Sequence, residues 1–399
     1  MLTKRHLERY ADVLIWGLKT ARSGRFKKED IVLLRYDRPA LVLAEVLYPR
    51  LLDMGLNPVM RVSLSEPMEK AFYEKSNERQ LIFKTPGDQE LFSSLNGSIS
   101  LRAPSSITHL SGVDPSRIGQ AAVARKYVSD ILDVREAEGL FGWTLCIFPT
   151  EELSSHANIS LEEYTDQIIK ACFLYKKDPV SQWKEIYKNA GSIKKWLNSM
   201  KVKFYRVESA NIDMEVFPGE CRKWIGISGH NIPSFELFLS PDWRGTNGVY
   251  YADQPTYRSG NYARGIRLEF RNGSVVKVDA ETGLDFVRKQ LAMDEGAGRL
   301  GEFSLTDKRF SKITRFMANT LFDENYGGTS GNCHVALGAS YSDTYDGNPA
   351  ELTKEKKIRL GFNDSALHWD LVNTEKKRVV AFLVSGEKKT IYENGVFTY

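Results

Sequence analysis

The strongest constraint on the fold is the alternation of short apolar runs and amphipathic segments at the start of the chain. Residues 3–21 repeat apolar side chains at helical spacing, and residues 31–34 form an almost wholly apolar run typical of a buried strand. A segment with an early proline then predicts a helix from about 37 to 54, and residues 59–62 begin another strand. This order predicts a βαβ unit with a right-handed crossover.

The rest of the amino half continues the same alternation. Residues 121–138 predict a further helix, and residues 145–148 predict a further buried strand. Ser160 and Glu163 match a capping box, in which each side chain satisfies a free amide group at a helix start. Helical spacing continues to about residue 200. We therefore expect an α/β domain for the amino half.

The pattern changes near residues 190–200. Strand-like runs separated by Gly and Asn turns follow at 202–217, 266–278 and 379–399. Helices are fewer, and we expect them at 283–292 and 307–321. The predicted organisation is an amino-terminal α/β domain over 1–195 and a β-rich domain over 196–399, which gives an α/β plus α+β fold class.

The composition excludes several classes of protein. The chain has 399 residues, of which 42% are hydrophobic and 27% charged, as in ordinary globular proteins. The 55 Lys and Arg residues nearly balance the 51 Asp and Glu residues, giving a net charge of only +4. No aromatic and basic module typical of RNA binders is present, so nucleic acid is not an expected partner.

Three features of the sequence predict where in the cell the protein is located. No apolar stretch approaches the ~18 residues of a membrane span, so no membrane partner is expected. The charged amino end carries no cleavage signature of a secretory signal. The cysteines are scattered without a CxxC pair, as is typical of reduced thiols in a cytoplasmic protein. They are Cys146, Cys172, Cys221 and Cys333.

Two of the six histidines lie near carboxylates in the sequence. His368 and Asp370 alternate along a strand-like segment, so their side chains should share one face, as a metal-binding pair does. His334 follows a polar, glycine-rich segment that begins after Glu324. Each feature alone is more typical of a structural histidine or a turn.

Two further carboxylates, Glu236 and Glu302, lie among apolar residues. A carboxylate in such a context must be paired, protonated or bound to metal to offset its desolvation. Together with Glu324, Asp370 and the two histidines, they are better explained by shared metal ions than by separate ion pairs. Oxygen and imidazole donors without thiolate suit Zn²⁺, Co²⁺, Mn²⁺ or Mg²⁺ equally well.

The order of these residues resembles the M29 family of metallopeptidases. The motifs are N-I-P-S-x-E ending at Glu236, L-G-E ending at Glu302, T-L-F-D-E-N around Glu324, H-V-A-L-G-A-S-Y from His334 to Tyr341, and H-W-D from His368 to Asp370. The similarity covers most of the carboxyl half and reaches into the amino half at 148–152 and 159–164. The ordered set is far more specific than any one motif.

The resemblance implies a fold, an activity and a site. It implies an α/β domain joined to a β-rich domain of the thermophilic metalloprotease type, and a homodimer that removes residues from the free amino end of peptides. It places two divalent ions on Glu236, Glu302, Glu324, His334, His368 and Asp370, and an active-site tyrosine at Tyr341. Two ions of this kind activate water for attack on the scissile carbonyl. Glu302 would help to deprotonate that water, and Tyr341 would donate to the oxyanion.

The chain departs from the family pattern at two places. Phe235 stands where the family has glycine before the first glutamate, and the segment 325–333 is longer than the family's usual link. We expect this loop to protrude from the site while Glu324 and His334 still converge on the ions.

Three other functions share part of this pattern. A non-haem iron oxygenase needs a second histidine well after its HxD motif, and no histidine follows Asp370, so that class is excluded. A catalytically weak metal- or peptide-binding protein of M29 type remains open, with the two departures as its support. A dipeptidase with the same chemistry also remains open.

Overall fold

The structure is a computed structural model that describes residues 1–399, and it divides into two compact units. The amino-terminal unit comprises Met1–Tyr187, Ile227–Ser234 and Met317–Leu321. The carboxyl-terminal unit comprises Lys188–Gly226, Phe235–Phe316 and Phe322–Tyr399. Two short segments of the carboxyl half therefore belong to the amino-terminal unit, which no sequence pattern indicated.

Helices and strands alternate first and strands dominate later. The helices are α1 Lys4–Ala21, α2 Leu41–Asp53, α3 Glu66–Lys75, α4 Glu78–Leu81, α5 Asp88–Ser94, α6 Pro115–Ala137, α7 Glu151–His156, α8 Leu161–Ala171, α9 Pro179–Asn198, α10 Leu284–Leu291, α11 Thr320–Asp323 and α12 Lys354–Leu360. The strands are β1 Ile31–Tyr36, β2 Asn57–Val62, β3 Gly97–Arg102, β4 Gly142–Ile147, β5 Val202–Glu208, β6 Asp213–Val216, β7 Asn231–Ile232, β8 Glu236–Leu239, β9 Asn247–Ala252, β10 Thr256–Arg258, β11 Asn261–Ala263, β12 Ile266–Arg271, β13 Ser274–Asp279, β14 Leu300–Thr306, β15 Asn332–Gly338, β16 His368–Asn373, β17 Arg378–Leu383, β18 Lys388–Glu393 and β19 Val396–Phe397. No helix has the length and apolar character that crossing a membrane requires.

The amino-terminal unit is built on a parallel five-stranded sheet with the order β2-β1-β3-β4-β7. This confirms the predicted βαβ unit and the helix that starts at the Ser160–Glu163 capping box. The predicted helix over 121–138 begins six residues earlier, because Asp114 caps the amide of Ser116 and Pro115 occupies the first helical position.

The carboxyl-terminal unit contains two larger antiparallel sheets. One has eight strands in the order β13-β12-β9-β6-β5-β17-β18-β19, and the other has four in the order β16-β15-β14-β8. In the four-stranded sheet, Ala336 on β15 stands opposite both Glu302 and Asp370. Residues directly opposite one another point to the same face of a sheet. This register brings side chains from distant parts of the chain together.

The helix expected over 307–321 is wrong. Only α11 at its end is helical, although apolar residues of the segment are buried at helical spacing. Polar side chains compete with the helix here, since Asp307 accepts from the amide of Arg309 and the Ser311 hydroxyl accepts from the amide of Ile313. Ala318 has a φ of 50°, which no α-helix accommodates. The helix expected over 283–292 is confirmed as α10.

Candidate metal centre

One face of the four-stranded sheet carries most of the residues singled out from the sequence. Glu236 begins β8, Glu302 is the third residue of β14, and His334 is the third residue of β15. His368 and Asp370 lie two apart on β16, which confirms the expected strand. Ala336 stands between Glu302 and Asp370 in register, and its small side chain leaves the space between them to the longer polar groups.

His334 lies at the centre of this cluster and is only 1% exposed. Its Nε2 lies 3.1 Å from Oε2 of Glu236 and 3.2 Å from Oε1 of Glu302. Oδ1 of Asp370 is 3.9 Å from the same nitrogen. One ligand atom from each of Glu236, Glu302 and His334 falls within 4.8 Å of the others. Three donors at this spacing can surround one metal ion.

His368 approaches the cluster from the other side of Glu302. Its Nε2 lies 3.4 Å from Oδ1 of Asp370 and 3.7 Å from Oε2 of Glu302. Its Nδ1 lies 3.0 Å from the carbonyl oxygen of Ala339, which must accept a hydrogen from it. Nε2 is then the nitrogen that can bind a metal ion once it has lost its proton, as in other histidines that bind metal. The two oxygens of Glu302 therefore face different histidines.

Glu324 reaches the cluster from outside the sheet, directly after α11. Its carbonyl oxygen accepts from the Thr306 hydroxyl and from the Asn332 amide, each at 3.0 Å. Its carboxylate, His334 and Asp370 place ligand atoms within 4.8 Å of one another. Glu324 and His334 thus converge in the structure, with the longer link between them.

The expectation that this link protrudes is wrong. Of residues 325–333, only Thr329 is exposed. The amide of Gly327 donates to the carbonyl of Ile313 at 2.9 Å, and the amide of Gly331 donates back to Gly327 at 2.8 Å. The side chain of Asn332 donates to the carbonyl of Tyr326 at 2.7 Å. These bonds fold the extra residues into a compact turn that holds Glu324 in place.

Burial of carboxylates close together raises the pKa of two of them, Glu302 and Glu324. Desolvation, followed by the negative charge of Glu236, raises the pKa of Glu324 well above its usual range. Desolvation raises the pKa of Glu302 to about 7, although His334 opposes the shift. Buried like charges this close are unfavourable unless cations neutralise them. The oxygen and nitrogen donors present therefore fit divalent metal ions.

The pKa values of the two histidines are also raised, which favours their charged forms. Burial alone would lower the pKa of His334, but hydrogen bonds to Glu236 and Glu302 raise it well above its usual value. Burial likewise opposes the charge on His368, yet Asp370 raises its pKa to about 9. In the metal-free chain, protonated imidazoles take the place of cations between the carboxylates. A bound metal would displace these protons, as metal ligands require.

Sequence reasoning missed several residues that hold the donors in place. The Ser304 hydroxyl donates to Oε2 of Glu236 at 3.0 Å, and the Asn325 side chain donates to Oε1 of Glu324 at 3.4 Å. Ser304 lies two residues after Glu302, so strand alternation could have placed it on the same face. Groups that orient ligands in this way tune metal affinity.

Arg258 adds a partly buried positive charge that no local motif signals. Its Nη1 donates to the carbonyl oxygen of His368 at 2.6 Å. Desolvation lowers its pKa to about 10, and the negative charge of Asp370 opposes the shift. The guanidinium therefore remains charged and fixes the backbone that carries the His368 and Asp370 pair.

Tyr341 stands beside the cluster and is 38% exposed. Its ring packs against the His368 imidazole with centroids 4.7 Å apart and edge-on against Phe238 at 5.8 Å. Its amide donates to the Ser240 hydroxyl at 2.8 Å. Desolvation of the phenol and then the negative charge of Glu302 raise its pKa, so the hydroxyl keeps its proton.

Phe235, the other departure from the family pattern, is fully buried. Its amide donates to the side-chain oxygen of Asn325, whose nitrogen contacts Glu324. The backbone before Glu236 and the residue after Glu324 are therefore linked directly. Phenylalanine at this position leaves the cluster of donors intact.

Several known proteins are similar to this chain. Aminopeptidase 2 of Geobacillus stearothermophilus is 29% identical over 326 residues, which cover 75% of this chain and 76% of that protein. Aminopeptidase T of Thermus aquaticus is 28% identical over 306 residues, or 72% of each chain. The solved structure of wild-type AmpT from Thermus thermophilus shares the fold, with a TM-score of 0.78 over 99% of this chain and 100% of that one, at 21% identity.

The family comparison covers almost the whole chain. The sequence model of the thermophilic metalloproteases (M29) matches residues 3–397. This match includes both units of the structure and every residue of the candidate metal centre. The chain therefore belongs to the M29 family of metallopeptidases.

Proposed function

We propose that this protein is a metal-dependent aminopeptidase that hydrolyses the first peptide bond of peptides with a free amino end. The single observation that carries the proposal is the convergence of four carboxylates and two imidazoles on one sheet face. The relatives named above, which are aminopeptidases, support this substrate class.

The arrangement of donors favours two ions that share Glu302. Oε1 of Glu302 faces His334, which also contacts Glu236, whereas Oε2 faces His368, which also contacts Asp370. Glu324 completes the set from the side of His334. A carboxylate with one oxygen toward each group of donors is suited to bridge two ions. Zn²⁺, Co²⁺, Mn²⁺ and Mg²⁺ all accept such ligands.

The chain's own residues have defined tasks in this proposal. Divalent ions in the centre supply Lewis-acid activation of a water molecule and of the scissile carbonyl. Glu302 assists removal of the proton from the attacking water. The protonated Tyr341 hydroxyl donates a hydrogen bond to the negative charge that develops on the carbonyl oxygen. Ser304, Asn325 and Arg258 hold the donors in position.

We also propose that the protein works as a homodimer in the cytoplasm. The family resemblance supports the dimer. All four cysteines are free, and three of them are buried, which is compatible with a reducing compartment.

Metal removal should abolish hydrolysis. After chelation and dialysis, release of nitroaniline from an aminoacyl-nitroanilide should fall to background, because no Lewis acid then activates the water or the scissile carbonyl. Added Zn²⁺, Co²⁺ or Mn²⁺ should restore the rate in proportion to the metal bound. Full activity in protein shown to be free of metal would contradict the proposal.

Cleavage should require a free amino group. A peptide series and its N-acetylated counterparts, compared by mass spectrometry of the products, should show sequential loss of amino-terminal residues from the free series only. Equal cleavage of both series would mean that the amino end is not recognised. Cleavage of dipeptides but not of longer peptides would favour the dipeptidase alternative.

A further inference from the structure

The carboxyl ends of β1 and β3 lie side by side in the parallel sheet of the amino-terminal unit. In the sheet order β2-β1-β3-β4-β7, the chain first moves outward from β1 to β2 and then crosses back to the other side of β1. The crevice between β1 and β3 is therefore the topological switch point of the sheet. Open parallel sheets bind ligands in this crevice, outside the carboxyl ends of the strands.

Two arginines stand at this crevice. Arg35 is the penultimate residue of β1, and Arg102 is the last residue of β3. Arg35 is in register with Ser100, so Arg102 lies one strand over, two residues further along and on the same face. Both arginines are exposed although β1 and β3 are interior strands. Parallel sheets are normally covered on both faces, so this exposure marks an opening.

A third arginine, Arg125 on α6, lies within electrostatic reach of Arg35. Partial desolvation and then the positive charge of Arg102 lower the pKa of Arg35, and the negative charge of Asp37 opposes this shift. Arg125 and Glu69 have smaller effects, which lower and raise this pKa respectively. The guanidinium groups of Arg35 and Arg125 form no ion pair and no hydrogen bond within the chain. Arg102 has one carboxylate contact, with Asp37 at 3.5 Å.

The neighbouring carboxylates neutralise these arginines only in part, because each of them also has another partner. Asp37 accepts from the amide of Ala103 at 2.7 Å, Glu69 contacts His109 at 2.9 Å, and Asp88 pairs with Arg61 at 2.9 Å. The Ser63 hydroxyl after β2 and Nδ1 of His109 after β3 are buried without a partner. Unpaired like charges and unsatisfied polar groups destabilise a fold, and proteins keep them at functional sites.

We propose that the crevice bounded by Arg35, Arg102 and Arg125 binds an oxyanion, either a phosphate group or the carboxylate of a small peptide. Guanidinium groups match both anions because their planar forks donate two parallel hydrogen bonds. This site belongs to the amino-terminal unit, contains none of the candidate metal ligands, and stands or falls independently of the aminopeptidase function.

The test compares three forms of the full-length, metal-loaded protein by titration calorimetry. The wild type, the double variant Arg35→Gln/Arg125→Gln and a control double variant are each titrated with inorganic phosphate and with an N-acetylated dipeptide, at fixed ionic strength. The control is Arg206→Gln/Arg271→Gln, which removes the same charge from arginines already paired with carboxylates. Any anion binding at the metal centre is common to all three proteins and cancels in the comparison.

We expect Arg35→Gln/Arg125→Gln to weaken binding of at least one anion about 100-fold, at roughly tenfold for each charge-assisted hydrogen bond lost. The control variant should bind as the wild type does. Loss for phosphate alone identifies a phosphate site, and loss for the dipeptide alone identifies a carboxylate site. Equal affinity of all three proteins for both anions would overturn the proposal.

A second measurement separates an anion site from a structural role. Without added anion, the Arg35→Gln/Arg125→Gln variant should unfold at the same temperature as the wild type or higher, because it removes repulsion between unpaired charges. Added anion should raise the unfolding temperature of the wild type more than that of this variant. A variant that unfolds at a lower temperature without anion would show that the arginines serve the fold, and the proposal would be wrong.

Discussion

Replacing Glu302 with glutamine should reduce kcat/KM by more than the ~10²–10³-fold that one oxyanion-hole donor contributes. Glutamine keeps the size of the side chain but removes its charge and one of its two acceptor oxygens. Oε1 of Glu302 lies 3.2 Å from His334, and Oε2 lies 3.7 Å from His368. One half of the proposed centre would therefore lose its donor atom, and the other would keep only an uncharged amide oxygen in place of a carboxylate oxygen. The metal content after dialysis, measured by plasma mass spectrometry, should fall below two ions per chain.

Glu269→Gln is the matched control for this variant. Glu269 lies on β12 of the same unit, and its carboxylate pairs with Arg271. The control should retain full metal content and turnover, because it makes the same chemical change outside the cluster. A Glu302→Gln protein that binds two ions and turns over normally would show that this carboxylate neither bridges the ions nor assists proton removal.

Much of the site could be predicted because its residues lie in short motifs with regular geometry. His368 and Asp370 are two apart on a strand, so their shared face follows from alternation alone. The need to neutralise Glu236 and Glu302 follows from their apolar surroundings. The family resemblance then linked these pieces in order.

The pairing of donors could not be predicted, because it depends on contacts between distant strands. Glu302 lies near Asp370 only because β14 and β16 both pair with β15. The turn that holds Glu324 likewise depends on a carbonyl of Ile313, in a segment whose apolar spacing falsely indicated a helix. Periodicity reports which side chains are buried, but it does not identify the partners of polar groups in the same segment.

Arg258 is a second example of a contact that the sequence does not reveal. Its sequence neighbourhood shows no partner, yet its guanidinium contacts the backbone of His368 across 110 positions of the chain. The arginines at the switch point can be recognised as neighbours only from the strand order, since β2 follows β1 in sequence but β3 lies on the other side of β1. Strand order cannot be read from the spacing of residues in the sequence. It nevertheless determines which residues come together at both sites.

Tyr341→Phe should lower kcat by ~10²–10³-fold, the usual effect of losing one hydrogen bond to a developing oxyanion. The phenylalanine ring keeps the contacts with His368 and Phe238, and the amide bond to Ser240 does not involve the side chain. Metal content should therefore remain that of the wild type. The substitution removes only the hydroxyl, which stays protonated near neutral pH in this environment.

The kinetic pattern distinguishes a catalytic hydroxyl from a packing role. If the hydroxyl acts in the transition state, kcat and kcat/KM should fall together while KM changes little. Tyr251→Phe is the control. Tyr251 lies on β9 and its hydroxyl contacts Glu281 at 3.3 Å, so its loss should leave turnover intact. If Tyr341→Phe instead raises KM at unchanged kcat, the hydroxyl contributes equally to the ground and transition states and only binds substrate. Full turnover with unchanged KM would leave Tyr341 as a side chain that packs against His368 and takes no part in the reaction.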